Sequence, residues 1–213
     1  VIADVTDAGT TEAYVDAGAL VGDGPDRVRR LDVTARSVQT LAADTGAAAG
    51  GIVAGQGSVA TAEARPTVRS FVGGGAQIRV DDGVAFTAEG KLDVDSTAKG
   101  ITVAGAGAGV SQGTVDADPT IETSIGADSL IEAGGDILLT AQQITTGLSS
   151  LATASFGGLI GAAASTATTL LSPTVGVAVG DGASLISRAG RIGLLADADN
   201  LADAFADGWV GAV

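Results

Sequence analysis

One eight-residue pattern constrains the fold of this chain more than any other feature, because it occurs three times at nearly equal intervals. It reads PTVRSFVG at 66–73, PTIETSIG at 119–126 and PTVGVAVG at 173–180. A repeat of fixed period determines the architecture before any local motif is considered. The 213 residues form one array of about four cycles, placed approximately at 1–46, 47–99, 100–152 and 153–213.

A second segment recurs with the same period and lies at a fixed distance from the first. LDVTA at 31–35 returns as VAFTA at 84–88, ILLTA at 137–141 and IGLLA at 192–196. In both segments apolar residues alternate with polar or small ones, which is typical of a strand with one buried face. We expect corresponding residues to stack between cycles, with Val68 over Ile121 over Val175, and Val84 over Ile137 over Ile192.

The remaining signals are those of strands and turns. A shorter strand carries Ile78, Ile131 and Ile186, and glycine- and aspartate-rich turns follow it. The first cycle lacks the proline, and there Val15 lies 53 residues before Val68. No apolar stripe of helical period persists, and DAFA at 203–206 resembles a helix only when it is read alone. These patterns predict an all-β fold.

The third quarter of each cycle consists of small residues. ITVAGAGAGV at 101–110 has counterparts at 47–60 and 159–167. Because neither face of such a strand carries bulk, it should approach a facing sheet more closely than the usual separation of about 10 Å. Leucine at Gly107, or at Ala54 one cycle earlier, is expected to disturb this packing.

Composition excludes several classes of function. Cys and His are both absent, so disulfides, zinc sites of the usual kind and the commonest general base are not available. The net charge of −14 and the pI of about 4.1 argue against a nucleic-acid partner, whose phosphates require clustered Lys and Arg. One Trp, one Tyr and four Phe are too few for an aromatic core or a sugar-stacking cleft. The chain is therefore not predicted to be an enzyme.

Two motifs resemble known sites but are better explained by the repeat. GAGAG at 105–109 would need a helix after it and an acidic residue further on to be a dinucleotide fingerprint. The uncharged run at 137–180 is long enough for a membrane helix, but it is dense in Ser and Thr and has charged-flanked relatives in other cycles. We predict neither a cofactor site nor a membrane span in this segment.

Aspartates near predicted turns are the candidates for a metal site. They are Asp93 and Asp95, Asp116 and Asp118, and Asp197 and Asp199 with Asp203 and Asp207. Calcium favours oxygen ligands of this kind, yet neither an EF-hand loop nor the calcium-binding nonapeptide repeat occurs. Solvated charge is the preferred interpretation. We assign no catalytic, cofactor-binding or metal-binding residue, and calcium is the one cofactor left open.

The run IEAGGDILLTA at 131–141, followed by glycine- and alanine-rich strands, resembles the repeats of very large secreted bacterial surface proteins of the filamentous-haemagglutinin and giant-adhesin kind. The resemblance covers all four cycles. It implies a parallel β-solenoid, a location outside the cell or on its surface, and a role in adhesion, aggregation or fibre formation. The 53-residue cycle exceeds the roughly 20 residues of simple solenoid coils, so one cycle could be one large coil or two to three small ones.

The physical argument also favours a parallel β-solenoid, or β-helix, of about four 53-residue repeats, because one cycle alone has too little apolar surface for a core. Its ends should expose unpaired strand edges, and the chain, which begins in mid-pattern without methionine, is expected to be part of a longer protein. The expected partners are neighbouring repeats and further copies in a homo-oligomer or filament. The preferred function is a structural and adhesive surface segment. A calcium-stiffened or flat-face binding module is the alternative, and a polysaccharide-active enzyme is third.

Overall fold

The computed structural model describes residues 1–24 and 28–211, and in these residues every regular element is a β-strand. The two longest strands have 34 residues each. The strands are β1 (Ile2–Asp7), β2 (Thr10–Val15), β3 (Leu20–Val21), β4 (Leu31–Ala64), β5 (Thr67–Val72), β6 (Gln77–Val80), β7 (Val84–Ala117), β8 (Thr120–Ile125), β9 (Leu130–Ala133), β10 (Ile137–Gly157), β11 (Ile160–Leu171), β12 (Thr174–Val179), β13 (Ser184–Ser187), β14 (Ile192–Asp199) and β15 (Asp203–Gly211).

The strands form three parallel sheets. One sheet has the order β1-β4-β7-β10-β14, with β11 also paired to β7 and β15 to β10. The other two sheets have the orders β12-β8-β5-β2 and β13-β9-β6-β3. The predicted all-β class is confirmed, and the parallel sheets are consistent with a β-helix. The segment at 203–206 lies in strand β15.

Strands from successive cycles lie side by side with a nearly constant offset. Val68 pairs with Ile121, which pairs with Val175. Val84 pairs with Ile137, which pairs with Ile192. Both stacked series predicted from the sequence are therefore confirmed, and they place the same kind of side chain at the same position of neighbouring strands.

The first cycle departs from the predicted alignment. Val15 pairs with Val72, whereas the partner of Val68 is Thr11. The cause is an insertion between Leu20 and Leu31, because this segment is longer than the one that joins their partners in the next cycle. The prediction that Val15 corresponds to Val68 is therefore wrong by the length of this insertion.

The short strand β13 is also shifted from its predicted position. Ile78 pairs with Ile131 as expected, but Leu185 continues this series. Ile186 instead pairs with Glu132 and is 40% exposed. A shift of one residue in a strand moves a side chain to the opposite face, so Ile186, which the sequence groups with Ile78 and Ile131, is not their counterpart in the structure.

The bulkiest part of the interior lies where the three sheets meet, and we call this region the body. Val72, Ile78 and Phe86, one from each sheet, belong to one buried cluster. Polar side chains that point inward here have backbone partners, because Ser70 donates to the carbonyl of Val33 at 3.0 Å and Thr123 to that of Thr140 at 2.7 Å. The body therefore combines aliphatic packing with satisfied hydroxyl groups.

Beyond the body, each long strand runs outward and returns, so that its two halves face each other. Within β7, Leu92 on the outgoing half and Val115 on the returning half belong to the same buried cluster. The backbone N–H of Thr114 donates to the hydroxyl of Ser96, 18 residues earlier, at 3.1 Å. We call these two facing layers the wing.

The wing has a tip at which the buried face of the strand changes parity. In β7 the buried positions are even-numbered up to Ala104 and odd-numbered from Gly109 onward. In the next cycle the reversal coincides with the break between β10 and β11. The small-residue segments predicted from the sequence therefore form the outer part of the wing and its tip.

Candidate interaction surfaces

The aspartates considered as metal ligands do not converge. Within residues 1–24 and 28–211, no three acidic, His or Cys side chains are placed so that they could hold a metal ion. Asp95 accepts a hydrogen bond from Ser149 at 2.7 Å, and Asp116 from Arg65 at 2.9 Å. The carboxylates of Asp95 and Asp116 are therefore engaged with side chains of neighbouring strands.

The outward faces of the sheets instead carry columns of charge that run from strand to strand. Here a column means the residues at the same register position in successive cycles. Arg69 lies between Glu12 and Glu122, with nitrogen to oxygen distances of 3.7 and 3.1 Å. Each exposed pair of this kind contributes at most about 1 kcal/mol. A shift in register would separate Arg69 from both glutamates, so the column favours this strand alignment.

A second series of charges crosses the sheet of short strands. Arg79 pairs with Asp23 on one side and with Glu132 on the other, the latter at 3.0 Å. Glu132 is also 3.6 Å from Arg188 in the last cycle. Along this face the sign therefore alternates from acidic to basic through four successive cycles.

A third column lies at the start of the long strands. Arg36 pairs in register with Glu89, Glu89 with Gln142, and Gln142 with Asp197. The guanidinium of Arg36 is 3.1 Å from Glu89, and the Gln142 amide donates to Asp197 at 3.3 Å. The column begins with a cation in the first cycle and ends with an anion in the last.

Two arginines are held by more than one acidic group. The pKa of Arg65 is raised above its ordinary value, first by its hydrogen bond to Asp116 and then by the charge of Glu63. The pKa of Arg30 is raised mainly by its hydrogen bond to Asp32. Both guanidinium groups stay charged at every pH at which the fold is of interest.

The tip of the wing carries a different surface, which is apolar and has no charge. Val53, Ala106 and Ile160 form one column there. Ile52 and Ile160 are 88% and 74% exposed, and no charged residue occurs in 46–62 or 100–115. The tip of the wing therefore exposes aliphatic side chains on successive cycles, whereas the outward faces of the body carry charges.

Two aromatic side chains extend the outward columns of the body. The rings of Tyr14 and Phe71, which are register partners, stack with centroids 5.0 Å apart. The guanidinium of Arg69 lies 5.7 Å from the centroid of Phe71. Such contacts add about 0.5–1.5 kcal/mol at most, and they reinforce the same strand alignment as the ion pairs.

The charge columns were not predicted, although the sequence contains a signal for them. Arg36 and Glu89, Arg69 and Glu122, and Arg79 and Glu132 are each 53 residues apart. Opposite charges separated by one repeat length would have identified the columns. The glycines at 105–109, considered as a nucleotide loop, lie at the tip of the wing within strand β7.

No protein-family model, no curated protein and no solved structure matches the chain. Among the residues with described structure, none belongs to a helix that is long and apolar enough to cross a membrane.

Proposed function

We propose that this chain is a segment of a parallel β-solenoid in which each 53-residue cycle is one large coil, and that it serves as a stiff structural element of an extracellular stalk or filament. The observation that carries the proposal is the agreement of two independent sets of columns. Val84, Ile137 and Ile192 stack inside, while Glu12, Arg69 and Glu122 stack outside. Both sets support one parallel register.

This construction explains why the repeat is suited to a structural role. A single coil exposes the edges of its strands and much of its apolar surface, and only stacking on another coil covers them. Backbone hydrogen bonds between coils about 4.8 Å apart then run along the axis. Such an object lengthens by adding coils, and its stiffness derives from continuous sheets.

We also propose an adhesive role, which concerns the wing. The uncharged tip of the wing, which includes Val53 and Ile160, lies apart from the ion pairs of the body. Aliphatic side chains exposed in a continuous patch are a common feature of surfaces that contact other molecules. The resemblance to giant surface proteins supports the same role and an extracellular location.

Solution scattering tests the architecture. A compact domain of 213 residues has a radius of gyration of about 17 Å. Four large coils whose long strands run outward for about 20 residues before they return make a flat plate roughly 70 Å wide and about 20 Å deep, for which we expect a radius of gyration of about 22 Å. A value as small as that of the compact domain would contradict one coil per cycle.

The function is tested on the intact protein that contains this segment. An antibody fragment against the outward face of β5 and β8 is added to the protein's native assembly and imaged by electron microscopy. Labelling along the shaft of an extracellular fibre is the expected result. Labelling confined to the fibre tip, or to material inside the cell, would reject the stalk.

A further inference from the structure

The outward face of the outgoing wing layer is uneven near the tip. Here the strands β7, β10 and β15 lie side by side, and the register places Ile101 beside Ser155 and Ser155 beside Trp209. These positions alternate with buried ones such as Phe156, so their side chains point away from the interior of the wing. A large, a small and a large side chain therefore follow one another across this face.

The next column, two residues nearer to the body, has the same profile. Lys99 pairs in register with Thr153, and Thr153 with Asp207. The backbones of the lysine and the aspartate are therefore two strand spacings apart, about 10 Å. Opposite charges thus stand on the two sides of a threonine.

The indole of Trp209 lies against the outer face of the sheet. A β-carbon built on Gly211 would overlap the six-membered ring of Trp209, so the ring extends over this glycine. Gly157, the register partner of Gly211, adds no side chain beside it. With 61% of Trp209 exposed, most of the indole surface is open to solvent.

Together these residues form a shallow depression that we call the wing groove. Its floor is Thr153, Ser155 and Gly157, and its sides are the outward side chains of the flanking strands β7 and β15. Ile101 on one side is 56% exposed, whereas Ser155 on the floor is only half-buried. The floor is about 13 Å long, and the backbones of the two sides are about 10 Å apart. The groove therefore has room for one extended polymer chain.

The groove lies on the face of the sheet and not at a strand edge. A strand added beside β15 would pair with its edge through backbone hydrogen bonds. Such a strand would leave the outward side chains of β15 uncovered. The groove is therefore also expected in an array with more cycles.

The groove combines apolar and polar surface in a way that suits a neutral sugar chain. A sugar ring presents C–H groups on its faces and hydroxyl groups at its edges. The C–H groups are attracted to the electron-rich face of an indole, and Ile101 adds apolar contact on the opposite side. Lys99 can donate hydrogen bonds, Asp207 can accept them, and the hydroxyl of Ser155 can do both.

An anionic sugar chain and a peptide fit this surface less well. Asp95 and Asp203 occupy a further column of the same outward face, and with Asp207 they outnumber the one cation, Lys99. The net charge of −14 adds a general repulsion of polyanions. A peptide would bring backbone amide groups that pair at the edge of a sheet, whereas the face of a sheet has no free backbone groups to offer.

We propose that the wing groove binds a neutral oligosaccharide or polysaccharide chain, with a sugar ring stacked on Trp209 and sugar hydroxyl groups bonded to Lys99, Ser155 and Asp207. A shallow groove of this kind uses a single aromatic ring, unlike the sugar-stacking cleft for which the chain has too few. The inference goes beyond the stalk, because it gives the protein a class of ligand. It requires the strand pairing of the wing and does not require that the protein forms a fibre.

Intrinsic fluorescence tests the groove directly, because Trp209 is the one tryptophan of the chain. The protein is titrated with cellohexaose, N-acetylchitohexaose, mannohexaose and maltohexaose. We expect the long-wavelength emission of an exposed indole without sugar, and a saturable shift to shorter wavelength with at least one of them. The emission of a buried indole without sugar would show that this face is wrongly assigned. No saturable change with any of the sugars would overturn the proposal.

Calorimetric titration of variants locates the ligand. Trp209→Ala removes the stacking surface and should weaken binding by about tenfold or more. Ser155→Leu fills the floor and should weaken binding by a similar factor while it retains the indole. Thr166→Leu is the matched control, because Thr166 is an exposed residue of β11, on the other layer of the same cycle, and it should bind as the unmodified chain does. Unchanged affinity in both Trp209→Ala and Ser155→Leu would place the ligand elsewhere and overturn the groove.

Salt dependence and competition distinguish the classes of ligand. The affinity for a neutral sugar should change little between low ionic strength and about 1 M salt, where the screening length is about 3 Å. Heparin and hexalysine serve as the charged probes. If either perturbs Trp209 with an affinity that falls as salt rises, and none of the neutral sugars does, the groove is a site for charged partners and the proposal is wrong. Such a result would leave the stalk intact, because the stalk is tested by antibody labelling of the fibre.

Discussion

Gly113 on the returning layer of the wing lies directly opposite the backbone of Leu151 on the outgoing layer of the next cycle. A β-carbon built on Gly113 would lie 2.9 Å from the Leu151 carbonyl oxygen and 2.9 Å from the hydroxyl of Ser150. Real β-carbons essentially never make contacts this short. At Gly113 the two layers therefore approach more closely than packed sheets usually do, because glycine places no side chain between them.

Gly113→Ala should consequently destabilise the fold by about 1–3 kcal/mol, as expected for an added methyl group in a closely packed layer. Gly46→Ala is the matched control, because Gly46 lies on the same wing with nothing within 4 Å of its added β-carbon. It should change the free energy of unfolding by no more than about 0.5 kcal/mol. Chemical denaturation of both variants checks this, and equal losses would show that the layers are not in close contact.

The faces assigned to the strands predict a large difference between two charge substitutions. Ile137 is completely buried in the body, and Ile137→Asp places an unpaired carboxylate there at a cost of several kcal/mol. Glu122 lies on the outward face beside Arg69, and Glu122→Lys should cost about 1 kcal/mol or less. Thermal unfolding distinguishes the two. A greater loss for Glu122→Lys would mean that the inward and outward faces are reversed.

The charge columns predict an effect that depends on salt. Arg69→Glu would place three glutamates in succession along one column, with Glu12 and Glu122 as the outer two. We expect a loss of about 1–2 kcal/mol at low ionic strength that becomes smaller near 1 M salt, where the screening length is about 3 Å. Arg69→Gln removes the attraction without adding repulsion and serves as the control. A loss for Arg69→Glu that is independent of salt would show that packing on Phe71, rather than charge, is responsible.

The sequence was most informative where an apolar residue recurs at the same position of every cycle. Val84, Ile137 and Ile192 were placed in one series by their spacing, and the structure pairs them in that order. The alternation around them also identified the buried face, because a strand has only two faces. No such help existed at Ile186, whose neighbour Leu185 is equally apolar, so the register there was misjudged by one residue.

Long-range features were harder to predict because the sequence does not reveal how a strand bends. The insertion between Leu20 and Leu31 shifts the first cycle relative to the second, and only strand pairing discloses it. The reversal at the tip of the wing lies among glycines and alanines that would be equally compatible with a straight strand. The charge columns, by contrast, could have been predicted from the repeat length alone. Arg69 and Glu122 are one repeat length apart, and the sequence would have paired them.

The tip of the wing encloses the aromatic ring of Phe156, and this makes the contribution of its packing measurable. Phe156 is fully buried, and its ring would lie within 2.8 Å of a β-carbon added at Gly158 or Gly161. These glycines leave the space that the ring fills, so Phe156→Ala should open a cavity and cost about 3–5 kcal/mol. Trp209→Ala is the matched control, because Trp209 is a large aromatic residue of the adjacent strand β15 with 61% of its surface exposed. It should cost less than about 1 kcal/mol. Hydrogen exchange should show faster opening at the tip of the wing for Phe156→Ala alone, whereas equal losses of stability in the two variants would contradict a packed tip.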